Sequence, residues 1–277
     1  MPELPEVETV VRTLRPEIVG KSISAVWTSG IALRMAKRLD VAVLQRECVG
    51  ATIKDVRRRG KYILIDLQRG ATRSAGILVH LGMTGRLRVQ PQRELRVKHT
   101  HVVWALARKQ EVRFVDPRRF GWVQAAPDLD ALPEIQALGP DPLSDLDAGE
   151  LRDRLAVSHA PIKAFLLDQH RVAGLGNIYV CEALFRAGIH PTTQARRTQG
   201  KAALLMQAIR DTLQLAIANC GTSFRDFVDS TGAPGKNIEA LLVYGREGEN
   251  CFQCQAPVRR AVHSGRSTFY CGNCQIR

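Results

Sequence analysis

The spacing of apolar residues changes twice along the chain, and the two changes predict its elements. Residues 2–19 carry apolar side chains at helical spacing, among them Leu4, Val7, Leu14 and Ile18, which predicts one amphipathic helix ending at Gly20. Residues 21–125 hold short β-branched runs separated by Gly, Pro or charged turns, the usual signature of strands. The predicted strands are residues 22–27, 51–56, 62–67, 76–81, 87–89, 101–106 and 111–115. Short strands at this regular spacing indicate an antiparallel sandwich or a barrel-like domain.

The second half of the chain has a helical period. A proline-rich stretch follows residue 126 and is typical of a linker. Beyond it, Pro161 at a first-turn position and Gly188 at a C-cap position mark the bounds of helices. The predicted helices are residues 146–157, 161–169, 177–187 and 201–219. We therefore predict an α+β protein of several domains: an N-terminal domain at 1–126, a linker at 127–143, a helical domain at 144–245 and a small cysteine-bearing module at 246–277.

Composition and charge narrow the class of protein. The 277 residues are 45% apolar and 24% charged, as in a soluble globular protein, and no apolar run is long enough to span a membrane. The acidic, periodic N-terminus is unlike a signal peptide, so we expect a cytoplasmic protein that is not exported. Lys and Arg outnumber Asp and Glu by 40 to 27, giving a net charge of +13. This imbalance favours a polyanionic partner, nucleic acid before membrane, because no basic amphipathic helix stands out.

The cysteines predict a metal site. Of the seven, Cys48, Cys181 and Cys220 stand alone in apolar surroundings, and we predict them to be buried free thiols. The others form two CxxC pairs with sixteen residues between them, which brings four thiolates to one tetrahedral centre. The ligands are Cys251, Cys254, Cys271 and Cys274. We predict one structural zinc ion, with an iron–sulfur cluster as the alternative, and a β-hairpin between the pairs.

The first residues of the chain suggest a covalent reaction. Removal of Met1 would expose the secondary amine of Pro2, and an α-amino group titrates near neutral pH and is then nucleophilic. Attack of a secondary amine on an aldehyde carbon gives a cationic iminium, and Glu3 is close enough in sequence to move protons for it. The alternative is ordinary helix punctuation, since Pro and Glu are common where helices begin.

Three further stretches are candidates for contacts with nucleic acid. A basic run enters an apolar strand at Lys61, where a rigid cation could hold a phosphate, although charge runs are usually solvated. An Asp-Pro turn at 116–121 combines arginines with Phe120, and the turn at 80–85 carries Met83, so both could insert apolar tips into a base stack. In the Gly-rich segment 174–179, Asn177 could cap the next helix, whose N-terminus would suit a phosphate; helix packing is the alternative.

These stretches together resemble the formamidopyrimidine-DNA glycosylase family of bacterial enzymes, which remove 8-oxoguanine and ring-opened purines from DNA. The resemblance spans the whole chain in the family's order. The matching motifs are MPELPEVET at the N-terminus, RGKY at 59–62, HLGMTG at 80–85, KHTH at 98–101, DPRRFG at 116–121, GLGNIY at 174–179, VYGR at 243–246 and the four-cysteine finger.

The resemblance implies a fold and a partner. It implies an N-terminal antiparallel β-sandwich with a leading helix, a helical domain with a helix–two-turns–helix motif and a C-terminal zinc finger, with damaged double-stranded DNA in the cleft between. It implies one structural Zn²⁺ and no catalytic metal. A monomer in the bacterial cytoplasm, associated with the nucleoid, is expected.

The resemblance also implies roles for single residues. Pro2 attacks C1′ of the damaged nucleotide and Glu3 transfers the proton. Lys61 contacts phosphate and donates a proton in β-elimination, and Arg266 grips phosphates and serves δ-elimination. The residues that fill the gap left by the flipped base or contact the DNA backbone are Met83, Arg118, Phe120, His99 and Asn177. Residues 230–240 match a loop that covers the lesion.

Three positions depart from the family's pattern. Asn237 stands where relatives often have an aromatic residue, Gln255 where Gly is usual, and Ser158 where some relatives have a phosphate-binding Lys. These departures bear on lesion preference rather than on activity. Two other functions compete: an endonuclease VIII-like glycosylase for oxidised pyrimidines, and a zinc-finger DNA-binding protein without chemistry. Leu4 and the complete DPRRFG motif argue against the first, and the intact Pro2, Glu3, Lys61 and Arg266 against the second.

Overall fold

The chain crosses between two structural units more than once. The computed structural model describes residues 2–33, 39–70, 73–263 and 265–276. The first unit comprises residues 1–137 together with the segment Asn219–Lys236, and the second comprises Leu138–Ala218 with Asn237–Arg277. Residues 219–236 thus group with the first unit, although in the sequence they lie between two stretches of the second.

The first unit is a sandwich of two four-stranded antiparallel sheets with a leading helix, which confirms the predicted fold class. One sheet has the order β1-β6-β7-β5 and the other β2-β3-β4-β8. Its elements are α1 (Leu4–Ile18), β1 (Ile23–Thr28), α2 (Val41–Cys48), β2 (Thr52–Arg59), β3 (Tyr62–Arg69), β4 (Arg73–His80), β5 (Arg86–Pro91), β6 (Thr100–Leu106), β7 (Gln110–Val115), β8 (Trp122–Ala126) and the short helix α3 (Pro133–Gln136).

The leading helix forms because its cap and its apolar stripe agree. Glu3 and Glu6 make a reciprocal capping box, in which the Glu3 main-chain N–H donates to the Glu6 carboxylate over 2.8 Å. Val7, Val10 and Leu14 then enter the core that the two sheets share. Burial of each such side chain stabilises the fold by about 1.5–3 kcal/mol, so the apolar stripe holds this face of the helix against the sandwich.

Besides the short helix α3, which lies in the predicted linker, two elements of this unit were not predicted from the sequence. Helix α2 has β-branched valines in its first turn, which lower helix propensity, but the Asp40 side chain caps it by accepting from the Val43 N–H over 3.0 Å. Strand β8 is short and ends in two alanines, residues with little preference for strands. It forms because β4 offers a sheet edge with which it pairs from Gly76 to His80.

The second unit is helical and ends in a small hairpin. Its elements are α4 (Ala148–Ala156), α5 (Ile162–Leu167), α6 (Asn177–Arg186), α7 (Ala202–Ala218), β9 (Val258–His263) and β10 (Arg266–Cys271). Helix α5 is shorter than predicted, with Pro161 as its N-cap in extended geometry rather than in its first turn. Gly188 ends α6 at φ +63° in a Schellman motif, with the Ile189 N–H donating to the Leu184 carbonyl over 3.0 Å.

The isolated cysteines differ in burial. Cys48 and Cys181 are buried as predicted, but Cys220 is exposed in a turn with a positive φ, so that prediction was wrong. Among the described residues, no helix is long and apolar enough to cross a membrane.

Candidate functional site

The start of α1 is buried and held by a carboxylate. Pro2 and Glu3 are both buried. The two oxygens of Glu6 accept from two different segments of the first unit: from the Glu3 N–H over 2.8 Å and from the Thr222 N–H over 2.8 Å. One side chain therefore ties the residues beside Pro2 to the base of the 219–236 segment. Met1 lies outside the described residues, and its removal stays a prediction.

An ion pair joins helix α1 to the β2–β3 hairpin, whose turn carries Lys61. Arg58 donates to Glu8 over 2.9 Å, and both side chains are largely buried. Burial alone would raise the pKa of Glu8, but its hydrogen bonds from Arg12 and Arg58 bring that pKa below its ordinary value. Glu8 is therefore ionised at neutral pH and keeps the helix in position on β2.

Lys61 sits in a two-residue turn rather than in a strand. The turn joins β2 to β3, with Gly60 at φ +56°, and only 7% of Lys61 is exposed. Burial and the nearby charge of Lys61 lower the pKa of His80 to about 4. The neutral imidazole accepts the Gly82 N–H at Nδ1 over 3.2 Å. His80 therefore joins the surroundings of Lys61 to the turn that carries Met83.

The Met83 turn and the Phe120 turn are joined by a buried carboxylate. Asp116 is fully buried. One of its oxygens accepts the Thr84 hydroxyl over 2.6 Å and the other accepts the Gly121 N–H over 2.7 Å. An apolar tip on a flexible turn could not hold a fixed position, so Asp116 supplies the rigidity that both turns need. The sequence alone did not identify this role.

Glycine allows the two turns to touch. Gly82 lies at φ +60°, and a Cβ atom built on it would meet the main chain of Phe120 and Gly121 at 2.4 Å. A side chain at Gly82 would therefore push the turns apart. The tips themselves face outward: Met83 is 38% exposed, and the Arg118 guanidinium lies 4.7 Å from the centre of the half-buried Phe120 ring.

His99 belongs to the same assembly. Its main chain has φ +67°, and its carbonyl accepts the Asp116 N–H over 3.0 Å. The side chain is exposed. The structure thus brings His99, Met83, Arg118 and Phe120 together around Asp116.

The segment Asn219–Lys236 is hydrogen-bonded onto the sandwich. The Ser230 carbonyl accepts from the Val89 N–H over 3.1 Å, and the Ser230 hydroxyl bonds the Thr13 hydroxyl over 2.8 Å. Asp229 accepts from the N–H groups of Thr231, Gly232 and Ala233 at 2.9–3.0 Å, which closes a tight turn. The predicted loop 230–240 begins in this turn and continues into the second unit, where Asn237 is buried.

In the second unit, Asn177 and the hairpin share a carbonyl. Asn177 does not cap α6 as expected, because Gly176 is the N-cap and Asn177 is the first helical residue. Its Nδ2 donates to the Ser267 carbonyl over 2.8 Å, and Nζ of the buried Lys163 donates to the same oxygen over 3.0 Å. Ser267 follows Arg266, whose side chain is exposed. Asn177 and Lys163 therefore fix the backbone next to Arg266.

A buried glutamate on α6 organises the chain just before the cysteines. Glu182 is 1% exposed and accepts the N–H groups of Leu242, Val243 and Tyr244 at 2.8–2.9 Å. Sequence reasoning missed this residue. The signal was present, since Glu182 is the one carboxylate within the otherwise apolar run 178–185.

The four predicted ligands converge. The Sγ atoms of Cys251, Cys254, Cys271 and Cys274 all lie within 4.8 Å of one another, so the cluster could hold a metal ion. Two of the sulfur pairs are 3.8 Å and 3.4 Å apart. Gln255 directly follows the first CxxC pair and adopts φ +63°, a backbone conformation that a glycine would adopt without strain.

Comparison with known proteins identifies the family. Residues 1–123 match the formamidopyrimidine-DNA glycosylase N-terminal domain, and residues 138–228 match the H2TH domain of the same enzymes. The chain is 44% identical over 281 residues to a formamidopyrimidine-DNA glycosylase of Xanthomonas oryzae pv. oryzae, covering 99% of this chain and 100% of that one. It is 42% identical over 277 residues to the enzyme of Marinobacter nauticus, with the same coverage.

Solved structures agree with this assignment. A Lactococcus lactis Fpg mutant bound to Fapy-dG-containing DNA superposes with a TM-score of 0.90 at 35% identity, covering 100% of both chains. The wild-type Lactococcus lactis protein with DNA containing N7-benzyl-Fapy-dG gives 0.89 at 36% identity, again over 100% of both chains. The fold thus defines a DNA-glycosylase architecture. The chain belongs to the formamidopyrimidine-DNA glycosylase family.

Proposed function

We propose that this protein is a base-excision repair enzyme, a DNA-formamidopyrimidine glycosylase with lyase activity at abasic sites. It flips oxidised purines such as 8-oxoguanine and formamidopyrimidines out of duplex DNA, removes them through a Schiff base on Pro2, and nicks the strand by β,δ-elimination. The observation that carries this proposal is the full-length family match, combined with the buried Pro2 and Glu3 at the capped start of α1.

The reaction begins at the N-terminus. Once Met1 is removed, the Pro2 amine attacks C1′ of the damaged nucleotide and the base departs, with Glu3 transferring the proton. The C1′–O4′ bond of the sugar then breaks and O4′ takes up a proton, and the iminium that forms between Pro2 and C1′ is an electron sink that acidifies C2′. Loss of a C2′ proton then expels the 3′ phosphate, and a second elimination expels the 5′ phosphate. Lys61 contacts phosphate and donates a proton in the first elimination, and Arg266 holds phosphates during the second.

The remaining proposed contacts stabilise the flipped state. Unstacking a base costs a few kcal/mol, and Met83, Arg118 and Phe120 offset this by filling the gap. The rigidity that Asp116 gives to their turns supports the role, because a wedge must not collapse when it meets the base stack. His99 and Asn177 contact the DNA backbone, and the net positive charge supplies affinity before the lesion is found.

The metal in the finger is proposed to be zinc. A tetrahedral centre with Zn–S bonds of about 2.3 Å requires sulfur atoms about 3.8 Å apart. The observed sulfur distances of 3.8 Å and 3.4 Å suit a single ion better than an iron–sulfur cluster, whose ligands surround a larger core. All four donors are cysteines, so the site is closed and structural.

The partner is damaged double-stranded DNA, as in the Lactococcus lactis complexes. We propose that the protein acts as a monomer in the bacterial cytoplasm. The division into segments 1–126, 127–143, 144–245 and 246–277 stays a prediction. The departures at Asn237, Gln255 and Ser158 are proposed to tune lesion preference.

Borohydride trapping tests the proposal. The substrate is duplex DNA with one 8-oxoguanine opposite cytosine. We expect a covalent protein–DNA adduct that mass spectrometry maps to Pro2, which would also demonstrate the loss of Met1. An adduct formed only with an oxidised pyrimidine would favour the endonuclease VIII-like alternative. Tight binding without an adduct, even at an abasic site, would favour the non-catalytic alternative.

Two substitutions test the assigned chemistry. Pro2→Gly and Glu3→Gln are expected to abolish base removal while leaving DNA binding in place, because neither residue is proposed to supply affinity. The measurement is incision of the 8-oxoguanine duplex in single turnover, alongside DNA affinity. Full incision by either variant would refute the mechanism.

A further inference from the structure

A basic loop joins β5 to β6 and carries more charge than the proposed reaction uses. This basic loop, residues 92–99, contains Arg93, Arg96 and Lys98 against the single acidic Glu94, a surplus of two positive charges before His99 is counted. Residues 92–99 are all exposed, and the loop's apolar side chain Leu95 is 92% exposed. The leucine of this loop therefore contributes little to the apolar core.

The backbone of the loop is nevertheless held from beneath. Arg113 on β7 is fully buried, and its guanidinium donates to the Glu94 carbonyl over 2.6 Å and to the Leu95 carbonyl over 3.0 Å. The neighbouring Glu111, also buried, neutralises Arg113. The loop is fixed at its far end too, where the Thr100 hydroxyl donates to the Val97 carbonyl over 2.7 Å. The sheet therefore fixes the backbone from which the loop's charged side chains extend.

Arg96 is itself held in place. Its guanidinium lies 4.4 Å from the centre of the Trp27 ring, while 41% of its side chain stays exposed. Stacking of a guanidinium on an aromatic face restricts the side chain without removing its charge. Glu111 is 3.9 Å from Arg96, but it already pairs with Arg113, so the cluster of two arginines and one glutamate keeps a net positive charge.

The loop leads directly into the turn assembly. His99, its last residue, bonds through its carbonyl to the Asp116 N–H, and Asp116 fixes the turns of Met83 and Phe120. Cations on an anchored backbone next to the turns proposed to contact DNA are suited to the phosphates of the same duplex. A protein partner would instead call for an apolar surface, whereas here each exposed apolar residue is flanked by charge.

We propose that Arg96 and Lys98 bind DNA phosphates beyond those contacted by His99, with Arg113 as the residue that positions the loop. The inference rests on the proposed function only in that its ligand is duplex DNA. The contact contributes to affinity for any DNA sequence, damaged or not, because phosphates carry no sequence information.

The test measures the salt dependence of binding to an undamaged duplex by the full-length protein. The plot of log affinity against log salt has a negative slope, and Arg96→Gln/Lys98→Gln is expected to make that slope shallower by about 1.8, since each phosphate contact on B-DNA contributes about 0.9 to its magnitude. At low salt the affinity is expected to fall about tenfold, as for two exposed ion pairs. Arg113→Lys keeps the charge but cannot donate to both loop carbonyls, so the slope of this variant should become shallower as well. A thermal melt shows whether the variant is still folded.

The matched control is Arg108→Gln/Lys109→Gln. The two side chains are exposed and lie in the turn between β6 and β7. Their substitution removes the same amount of charge as Arg96→Gln/Lys98→Gln. We expect their slope to stay near that of the wild type. Equal changes in both double variants, or an unchanged slope for Arg96→Gln/Lys98→Gln, would overturn the proposal. Because binding to undamaged DNA requires no incision, the result stands or falls independently of the chemistry at Pro2.

Discussion

Each of the two units holds an irregular segment with one buried carboxylate, but the two segments depend on that carboxylate to different degrees. In the sandwich, Asp116 binds the Thr84 hydroxyl and the Gly121 N–H. In the helical unit, Glu182 binds three consecutive main-chain N–H groups at 242–244. The physical principle is the same in both units. Polar donors that are buried away from water bond to a buried carboxylate instead, and these bonds fix a segment that has no regular structure.

The difference lies in what else holds each segment. The turns around Asp116 continue into strands of a large apolar core that includes α1 and both sheets. The hairpin β9–β10 packs on a small cluster in which Cys251 and Cys271, two of the four clustered cysteines, are themselves core residues. A module of that size buries too little apolar surface to fold unaided. The turns of the sandwich are therefore held in more than one way, by Asp116 and by the core. The cysteine-bearing hairpin instead depends on a few polar contacts and on its cysteines.

The largest expected effect is metal removal. Because structural zinc contributes about 10 kcal/mol or more to the folding of such modules, chelation or Cys254→Ser should unfold residues 246–276 and weaken DNA binding strongly. Hydrogen exchange resolved by segment, together with metal content, measures this. The sandwich should keep its protection in the same sample. Equal loss of protection in both units would break the comparison.

The second effect is at Glu182. Glu182→Gln keeps the shape, but its amide group faces main-chain N–H donors, so we expect a loss of about 2–4 kcal/mol in the stability of the second unit. Chemical denaturation with a probe in this unit gives the value. Glu150→Gln, at an exposed ion pair with Arg154, is the matched control and should cost less than about 1 kcal/mol.

The third effect is at Asp116. Asp116→Asn retains one acceptor oxygen, and the turns remain anchored in strands, so we expect a smaller loss of about 1–3 kcal/mol. Protection of the Gly121 amide should fall selectively, and base flipping, followed with a fluorescent base analogue, should slow. A loss larger than that of Glu182→Gln would contradict the redundancy of the sandwich.

The smallest effect is a pH dependence at His80. The unfolded chain takes up a proton near the ordinary pKa of 6.5, whereas the folded protein resists until about pH 4. Stability is therefore complete above pH 6.5 and declines as the pH falls toward 4, by about 1 kcal/mol at pH 5.5. His80→Asn keeps an acceptor for the Gly82 N–H but does not titrate in this range. Denaturation of the two proteins at pH 7.5 and pH 5.5 should show a smaller decline for the variant.

Local pattern was enough to predict much of the fold and the clustering of the four cysteines. The helical spacing of Leu4, Val7 and Leu14 fixed α1 to within two residues, because an amphipathic helix must bury that stripe. The two CxxC pairs identified their cluster because thiolates at that spacing have few other uses. Helix α2 and strand β8 were missed because a neighbouring cap or sheet edge, rather than local propensity, stabilises them.

The amino-acid sequence by itself determined the fold class, the family resemblance and the residues available for chemistry. Only the tertiary structure decided how those residues are held. Asp116 and Glu182 are ordinary polar residues in the sequence. They acquire their roles in the folded units, where Asp116 accepts from the Thr84 hydroxyl and Glu182 accepts from the main-chain N–H groups of residues 242–244. The return of residues 219–236 to the sandwich was decided in the same way. The physical reason is that a buried polar group must find a partner, and the position of that partner depends on the packing of the whole unit.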